Sequence, residues 1–388
     1  MIVCIYAGSI QTGGGKTHLV ELLRAVKPEA LGVKRIILFC NSEISAMFQD
    51  CLWIQIISPL ALNRGLLQRF LWERFCLTKE IRRLGCDVLF VPGTVYRCNF
   101  KPVVVMSQNL LPFDNREILR FGLAWTTIRL LLLRYVLTTT FKKADGVIFL
   151  TDASRQKVLN ETGPLNARTY VVAHGVNKCF HRNLRLPYDS INYNKIRPFR
   201  LLYVSIIERY KNQVNVVKAI AALRNDGFNI TIDLVGPADR IALKELNAAI
   251  DLVDPDRRWV HYHGAVHYDH LDKVYSDADA FIWASSCEAF GMILIEAMAA
   301  GLPLVCLNTG TTREIVGDQG AVFFDSVHSA DIERAVKEVL LSSQLREALS
   351  ALGQQRALNF TWAACAERTF SILLNCINSN KNVKQINN

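Results

Sequence analysis

The amino-acid sequence predicts an α/β protein made of two doubly wound domains. Short apolar runs alternate with helical patterns along most of the chain, which is typical of parallel sheets covered by helices on both faces. At 388 residues, the chain is too long for one ordinary core. A polar stretch interrupts the alternation near the middle. We therefore predict an N-terminal domain over residues 1–177, a linker over 178–198, a C-terminal domain over 199–360, and a cleft between the two domains.

The first half supplies most of the evidence for this alternation. Its strand candidates are the apolar runs Ile2–Tyr6, Arg35–Phe39, Val88–Val91, Val103–Met106, Gly146–Leu150 and Thr169–Val172. Its helical patterns, in which apolar residues recur every three or four positions, are Thr17–Val26, Leu66–Leu84, Ile118–Thr139 and Ala153–Asn160.

The second half repeats the pattern. Its strand candidates are Arg200–Val204, Ile230–Val235, Trp259–Tyr262, Ala280–Ala284, Pro303–Leu307 and Ala321–Phe324. Residues 361–388 are predicted to form a C-terminal helix that crosses back to the first domain and ends in a frayed, Asn-rich tail.

Basic residues are concentrated in the first half of the chain. Residues 1–198 contain 27 Lys and Arg against 13 Asp and Glu, whereas the whole chain carries a net charge of +10. This asymmetry indicates that the first half faces something anionic, such as a membrane surface, a phosphorylated lipid or nucleic acid. A basic, solvated surface without a partner is the alternative.

The N-terminus and the cysteines suggest the compartment. The first residues contain no basic region and only a short apolar run, which predicts a buried strand rather than a signal peptide. Eleven cysteines are scattered without C-x-x-C spacing. They are interpreted as small core residues in a reducing cytoplasm.

Residues 116–143 form a long apolar stretch bordered by basic residues. Arg129 and Arg134 interrupt it, and a charge inside a bilayer is costly, so a membrane-spanning helix is disfavoured. An interfacial helix with Trp125 at its edge and a buried scaffold helix explain the pattern equally well.

Gly13, Gly14 and Gly15 follow the first predicted strand and precede a helix. The segment Gln-Thr-Gly-Gly-Gly-Lys-Thr lacks the first glycine of a Walker A motif, because Ile10 occupies that position. An ATPase is therefore disfavoured. The glycines still let the main chain and a helix N-terminus approach a phosphate or a sugar.

Two carboxylates, Glu288 and Glu296, lie eight positions apart across a predicted loop and helix. The segment reads Glu-Ala-Phe-Gly-Met-Ile-Leu-Ile-Glu-Ala-Met-Ala-Ala-Gly. Gly291 lies where the helix begins, and a helix N-terminus attracts a pyrophosphate. Both carboxylates are predicted to face one crevice at the carboxyl end of a strand.

This E-x7-E pattern, with Phe290-Gly291 inside it, resembles retaining glycosyltransferases of family 4. The resemblance implies a GT-B fold, in which two Rossmann-like domains face each other across a cleft. It implies that Glu288 contacts the donor sugar and that Glu296 binds the ribose hydroxyls. The segment Phe290, Gly291, Met292 and Ile293 would line the donor site, and the run Gly13–Gly15 would border the donor phosphates and the acceptor.

The same resemblance assigns cations to the donor diphosphate. The family has an arginine after the first strand of the second domain and a lysine a few residues later. This chain keeps the lysine as Lys211 but has Ile206 in place of the arginine. Arg209 is the hypothetical replacement from a shifted position.

Gln108 and Asn109 occupy the place where many relatives have a histidine that contacts the sugar. Both side chains can hydrogen-bond hydroxyls, but neither is a useful base at neutral pH. His174 lies in a segment that resembles the family's His-Gly-Val motif. It is counted with the sugar contacts, although a positional role is favoured over a catalytic one.

Neither a metal nor a cofactor is expected. Asp277 and Asp279 form a D-x-D pattern, but they are predicted to support a helix end. The crowded histidines have no accompanying acidic or cysteine cluster; they are His261, His263, His267 and His270.

The resemblance implies a metal-independent hexosyltransferase that retains anomeric configuration. We expect it to move a sugar, with mannose as a guess, from a nucleotide sugar to a lipid-linked saccharide during bacterial lipopolysaccharide or O-antigen synthesis. The basic first domain would make peripheral contact with the inner face of the cytoplasmic membrane, without nucleic acid. A GT-B nucleotide-sugar epimerase and a non-enzymatic anion- or membrane-binding protein are the alternatives.

Overall fold

The computed structural model describes residues 1–10, 13–93, 95–183, 189 and 193–386, with side chains described through residue 380. Gln11, Thr12 and part of the predicted linker lie outside these residues. The chain divides into two compact units. The first contains Met1–Gly175 together with Trp362–Asn388, and the second contains Val176–Thr361.

The strands pair in parallel throughout the described residues. They are β1 (Ile2–Tyr6), β2 (Arg35–Phe39), β3 (Ile54–Ile57), β4 (Val88–Val91), β5 (Val103–Met106), β6 (Gly146–Phe149), β7 (Arg168–Val171), β8 (Phe199–Val204), β9 (Ile230–Val235), β10 (Val260–Tyr262), β11 (Ala280–Trp283), β12 (Leu304–Leu307) and β13 (Ala321–Phe324).

The helices connect these strands. They are α1 (Gly14–Ala25), α2 (Ser42–Ser45), α3 (Leu66–Phe75), α4 (Leu77–Arg83), α5 (Asn115–Leu119), α6 (Trp125–Lys143), α7 (Asp152–Thr162), α8 (Gln213–Asn225), α9 (Arg240–Val253), α10 (Leu271–Ser276), α11 (Met292–Ala299), α12 (Gly310–Val316), α13 (Ser329–Leu341), α14 (Ser343–Ala357) and α15 (Trp362–Ile386).

The first unit is built on a sheet with the order β3-β2-β1-β4-β5-β6-β7 in the described part of the chain. Strands β4, β5 and β6 are buried along their whole length. The chain leaves β1 toward one edge and returns beyond β1 with β4, so the strand order reverses between these two strands. Helix α15 packs against α1 in this unit. The unit is therefore doubly wound, with its switch point between β1 and β4.

The second unit repeats this plan with the order β10-β9-β8-β11-β12-β13, again within the described residues. Strands β9, β11 and β12 are fully buried. The strand order reverses between β8 and β11. Loops that leave the carboxyl ends of these two neighbouring strands therefore open onto the same edge of the sheet.

The predicted alternation of strands and helices is confirmed, with three differences in the first unit. Strand β3 was not predicted, because it is a short edge strand and only partly buried. The pattern at Leu66–Leu84 forms two helices that separate at Cys76. The pattern at Ile118–Thr139 also forms two helices, α5 and α6, because Gly122 turns the chain between them with a φ of 59°.

Helix α6 has one buried face and one exposed apolar face. Leu130, Leu137 and Phe141 are buried, whereas Trp125 and Tyr135 are about 70% exposed. The helix is therefore not a fully buried scaffold. No helix in the described part of the chain is long and apolar enough to cross a membrane.

Candidate functional site

The candidate site of the second unit lies where the strand order reverses. Lys211 follows β8 and Glu288 follows β11, and these strands are paired neighbours in the sheet. Both residues therefore leave the carboxyl edge at the switch point, which is the usual binding position in open α/β sheets.

Asn212 ties the two loops together. Its side-chain amide donates hydrogen bonds to the carbonyl oxygens of Ala284, at 2.8 Å, and Tyr210, at 3.1 Å. The backbone N–H of Ser286 donates to the same Tyr210 oxygen at 2.9 Å. Asn212 has a φ of 58° at the start of α8, and asparagine tolerates this left-handed conformation better than most residues. The cross-links fix the loop after β8 against the loop after β11.

Lys211 is a buried cation, with a residue exposure of 5%. Its ammonium group forms an ion pair with Glu288. It also lies 4.6 Å from the ring centre of Trp283 and 5.0 Å from that of Tyr210, which is close enough for cation–π attraction. The Tyr203 hydroxyl donates to the Lys211 carbonyl oxygen at 2.5 Å. Contacts to both its main chain and its side chain therefore hold Lys211 in position.

Glu288 has two further partners that sequence reasoning missed. The Ser285 hydroxyl donates to its carboxylate at 2.7 Å, and the Thr311 hydroxyl donates to its main-chain oxygen at 3.1 Å. Ser285 could have been found as the polar residue that follows β11. Thr311 lies in the first turn of α12, which begins after β12, so only the strand order brings it to this loop.

Helix α11 begins beside this ion pair. Gly291 precedes it with a φ of 88°, and an added Cβ would lie 3.3 Å from Leu294 Cδ1. Met292 and Ile293 form the first turn and are partly exposed, so their N–H groups lie at the positive end of the helix. Phe290 is 2% exposed and packs edge-on against Phe360. It supports the loop from the core, whereas the backbone around Gly291 is available to a ligand.

Glu296 lies one turn inside α11 and is only 5% exposed. The Tyr275 hydroxyl donates to its carboxylate at 2.9 Å. Burial raises the pKa of Glu296 from its ordinary 4.5 to about 7, and the hydrogen bond from Tyr275 opposes part of this shift. Tyr275 was not singled out in the sequence, because it belongs to α10, a separate element. Ribose binding by Glu296 stays a prediction.

The guanidinium group of Arg209 binds a carboxylate of α9. It forms an ion pair with Glu245 of α9, and its Nε lies 3.1 Å from the Glu245 Oε1. Ile206, at the position of the family arginine, is 38% exposed. The replacement of that arginine by Arg209 stays a prediction, and the observed ion pair does not favour it.

The carboxyl edge of the first unit brings together the glycine run and Gln108. Gly13 precedes α1 with a φ of 70°. The Gln108 amide donates to the Pro92 carbonyl oxygen at 2.8 Å, and its Oε1 lies 3.6 Å from the position of a Cβ added to Gly15. The exposed Asn109 uses its side-chain oxygen to accept from the N–H of Leu111 at 3.1 Å. Gln108 is therefore better placed than Asn109 beside the glycine run.

His174 lies in the core of the first unit and is 4% exposed. Its Nδ1 is 3.0 Å from the Nδ1 of His18, and both rings lie near Trp362. Burial lowers the pKa of His18 to about 3 and also lowers that of His174. A neutral, buried histidine pair fits the positional role of His174 and does not favour a sugar contact.

Potential metal ligands meet at one place among the described residues. Atoms of His18, His174 and Cys365 lie within 4.8 Å of one another. Burial raises the pKa of the Cys365 thiol to about 12, which disfavours the thiolate that a metal would need. This arrangement is explained by a packed histidine pair and a thiol, and the expectation of no metal stays a prediction.

Two sequence patterns, the D-x-D pair and the crowded histidines, imitate metal sites, and some of their residues form hydrogen bonds within the protein. Asp279 accepts from the backbone N–H of Arg200 at 2.9 Å, and Asp277 lies at the end of α10. Among the surface histidines, the Nε2 of His263 lies 2.6 Å from Asp233. Asp279 therefore links the start of β11 to β8, and the predicted structural role of Asp277 stays a prediction.

Comparisons with known proteins show which family and which fold the chain resembles. Residues 191–356 match the family model described as "Glycosyl transferases group 1". The chain is 34% identical over 116 residues to O-antigen chain mannosyltransferase B of Escherichia coli, across 29% of each protein. It is 26% identical over 234 residues to D-inositol 3-phosphate glycosyltransferase of Paenarthrobacter aurescens, across 60% of this chain and 56% of that protein. The chain thus spans less than two thirds of either relative.

A solved structure matches nearly the whole chain. The Anabaena protein Alr3699/HepE, in complex with UDP and glucose, superimposes with a TM-score of 0.68 at 16% identity, covering 97% of this chain and 100% of that protein. At this identity the likeness shows the fold. The predicted GT-B architecture, with two Rossmann-like units, is confirmed.

Proposed function

Since residues 191–356 belong to the glycosyl transferases group 1 family, we propose that the protein is a retaining hexosyltransferase with a nucleotide-sugar donor. The observation that carries the proposal is the ion pair between the buried Lys211 and the partly exposed Glu288, beside the N-terminus of α11. A cation and a helix N-terminus at one switch point form a suitable site for a diphosphate.

The leaving diphosphate gains negative charge as the glycosidic bond to the donor breaks. Lys211, which is buried, and the first-turn N–H groups of α11 would stabilise that charge, since fixed donors stabilise developing charge without rearranging. The ammonium group would then divide its interaction between Glu288 and the diphosphate. Lys211 is therefore the residue proposed to stabilise the departing diphosphate.

The two carboxylates would bind different parts of the donor. Glu288 would orient the sugar hydroxyls, because its carboxylate is partly exposed and fixed by Ser285 and Lys211. Glu296 would accept hydrogen bonds from the ribose hydroxyls deeper in the site. Glu288 is therefore the residue to examine for sugar selectivity, and Glu296 the residue for nucleotide binding.

The resemblance also implies retention of configuration on the front face, with the leaving phosphate accepting the proton of the acceptor. Gln108 and Asn109 fit that proposal, since neither amide is a base at neutral pH. No protein base is then required beside the acceptor.

We propose a lipid-linked saccharide as the acceptor and the first unit as its binding region. Helix α6 exposes Trp125, Ile128, Leu132 and Tyr135, which are spaced along one stripe with Arg129 at its edge. An apolar stripe with basic margins fits a peripheral helix at the inner face of the cytoplasmic membrane. The O-antigen chain mannosyltransferase among the relatives supports a bacterial surface polysaccharide and makes mannose the first sugar to test.

A donor panel tests the class of reaction. GDP-mannose, UDP-glucose and other nucleotide sugars are added to the purified protein, and the melting temperature is measured. One donor is expected to raise it selectively, and Glu296→Ala is expected to abolish that rise. Glu347→Gln, an exposed substitution on α14, serves as the control and should respond like the unchanged protein. A protein that no nucleotide sugar stabilises would refute the proposal.

A second assay separates transfer from donor rearrangement. Consumption of the stabilising donor is measured with and without a bacterial lipid extract. A transferase consumes the donor only when the extract is present and produces a glycosylated lipid. Equal consumption in both samples, without a lipid product, would instead indicate an epimerase or hydrolase.

A further inference from the structure

A pocket of about 990 Å³ lies in the first unit. Its lining includes the residues just before three neighbouring strands: Lys101 before β5, Asp145 before β6 and Arg168 at the start of β7. The glycine run and Gln108 follow strand ends, so they lie on the opposite edge of the same sheet. A four-residue strand such as β6 separates the two edges by roughly 13 Å.

The lining of this pocket is strongly basic. Among the described residues, its lining contains six cationic side chains and one acidic side chain, that of Asp145. The cations come from α3, the segment before β5, the end of α6 and the start of β7; they are Arg74, Arg97, Lys101, Lys142, Lys143 and Arg168.

Part of this charge is neutralised by the protein. Lys101 pairs with Asp145 at 2.9 Å, and Arg97 pairs with the buried Glu73 at 3.2 Å. Arg168 donates to the neutral hydroxyl of Ser379 at 3.3 Å. Two of the six cations thus have carboxylate partners within the described structure.

Lys142 and Lys143 are consecutive, exposed residues at the end of α6. The described side chains give neither of them a carboxylate partner. The negative end of the helix favours them, but it is worth only about half a charge. Together with the other cations of the lining, these two charges give the pocket a positive potential that attracts an anion.

Buried aromatic and sulfur-containing side chains also line the pocket. Tyr96, Phe100 and Cys376 line it and are each less than 9% exposed. Its volume is at the upper end of the range for small-molecule sites, about 300–1,000 Å³. A ligand with a phosphate group and a larger organic body therefore fits better than a single inorganic ion.

We propose that this pocket is a second anion site, which binds the phosphate or pyrophosphate group of a phosphorylated ligand. The site lies at the opposite edge of the first unit's sheet from the glycine run, and the proposal does not rest on the transferase function. The phosphate could belong to the headgroup of an anionic phospholipid or to a soluble phosphorylated molecule, since both present the same chemistry to Lys142 and Lys143.

Titrations of the full chain test this site. The protein carries Lys211→Met, so that phosphate bound at the donor edge does not obscure the measurement. Inorganic pyrophosphate is titrated by calorimetry, and vesicles of phosphatidylglycerol or phosphatidylcholine are tested by flotation. The double substitution Lys142→Ala and Lys143→Ala is compared with Lys27→Ala and Lys34→Ala, which removes two exposed lysines of the same unit outside the pocket.

The pocket variant is expected to bind about tenfold more weakly, and the control less than twofold. Pyrophosphate binding that depends on the pocket identifies a soluble ligand class. Pocket-dependent binding to phosphatidylglycerol vesicles alone identifies a lipid headgroup. Equal losses in both double variants would show a general basic surface, and absence of binding to both probes would also overturn the proposal.

Discussion

The carboxyl edges of the two sheets differ in chemistry, although both lie at the switch point of a doubly wound unit. In the second unit, Lys211 and Glu288 place opposite charges on neighbouring loops. In the first unit, the corresponding edge presents the glycine run and the amide of Gln108, and the ion pair there joins Lys16 to the exposed Glu43. The same topology therefore supports a charged edge with a buried lysine in the second unit, and an edge of glycines and an amide beside an exposed ion pair in the first.

The difference separates two requirements of the proposed reaction. A leaving diphosphate needs fixed positive charge, which a buried and cross-linked lysine provides. A saccharide acceptor needs hydrogen-bond partners and close approach of the main chain, which glycines and an amide provide. Substitutions of the residues that would bind the diphosphate at the charged edge should accordingly reduce turnover strongly. Substitution of a cation whose ion pair points away from this edge should reduce turnover little.

Lys211→Met should have the largest effect, because it removes the charge and keeps a similar side-chain length. Turnover of the donor should fall by about 100- to 1,000-fold, the range found when a group that stabilises transition-state charge is lost. Lys218→Met, on the exposed side of α8, is the matched control and should retain its turnover. Circular dichroism checks that both variants are folded. A folded Lys211→Met variant with nearly unchanged turnover would show that the charge of Lys211 is not needed for the reaction, and it would contradict the proposed difference between the two edges.

Gly291→Ala should disturb the helix N-terminus at the charged edge. A residue with a side chain at a φ of 88° costs about 1–2 kcal/mol, and the added methyl group would also press on Leu294. Gly227→Ala is the matched control, since Gly227 has a φ of 93° and open space around its Cβ position.

Both glycine variants should melt at a lower temperature, and Gly291→Ala should lose more because of its contact with Leu294. Only Gly291→Ala should lose the further stabilisation by the nucleotide sugar, because its helix N-terminus would move away from the diphosphate. If Gly227→Ala lost that stabilisation equally, the effect would come from the unit as a whole and not from α11.

The sequence predicted most of this fold because both units are regular. Parallel strands buried on both faces appear as apolar runs, so β1, β4 and β9 were found with their observed bounds. β3 was missed although residues 51–57 are mostly apolar; it is a strand of four residues at the edge of the sheet and only partly buried. The break between α5 and α6 depends on the backbone of Gly122, whose left-handed conformation is not visible in a helical pattern.

The site was less predictable than the fold, because its contacts join distant elements. Lys211 and Glu288 were named from motifs, but their ion pair depends on β8 and β11 being neighbours. The Tyr275–Glu296 hydrogen bond joins two helices, and nothing local in the sequence indicates it. The burial of His174 likewise depends on His18, 156 positions earlier in the chain.

Glu296 gives the charged edge a pH dependence. Its raised pKa of about 7 means that the carboxyl group is neutral below this pH and ionised above it. An ionised carboxylate accepts hydrogen bonds from ribose hydroxyls more strongly, so affinity for the nucleotide sugar should rise between pH 6 and pH 8. The diester diphosphate of a nucleotide sugar does not titrate in this range, and calorimetry measures the affinity.

The stability of the protein should show the opposite trend. Because the pKa of Glu296 is higher in the folded state than its ordinary 4.5, its contribution to stability is fully present below about pH 4.5 and is lost as pH rises through 7. Glu296→Gln should therefore gain melting temperature relative to the unchanged protein between pH 5 and pH 8, and should show no rise in donor affinity. A rise that persists in Glu296→Gln would assign the dependence to another group.

Arg209→Ala should have the smallest effect, although Arg209 is only two positions from Lys211. Its guanidinium pairs with the partly exposed Glu245, and surface ion pairs contribute about 0–1 kcal/mol. We expect less than about a threefold change in turnover and donor affinity, since the charge is directed at α9 rather than at the loop after β11. Glu245→Ala is the informative companion, because it releases Arg209 from its partner. Arg209→Ala could instead reduce turnover by more than about tenfold while Glu245→Ala does not. That result would show that Arg209 leaves its ion pair to bind the diphosphate, and that it replaces the family arginine lost at Ile206.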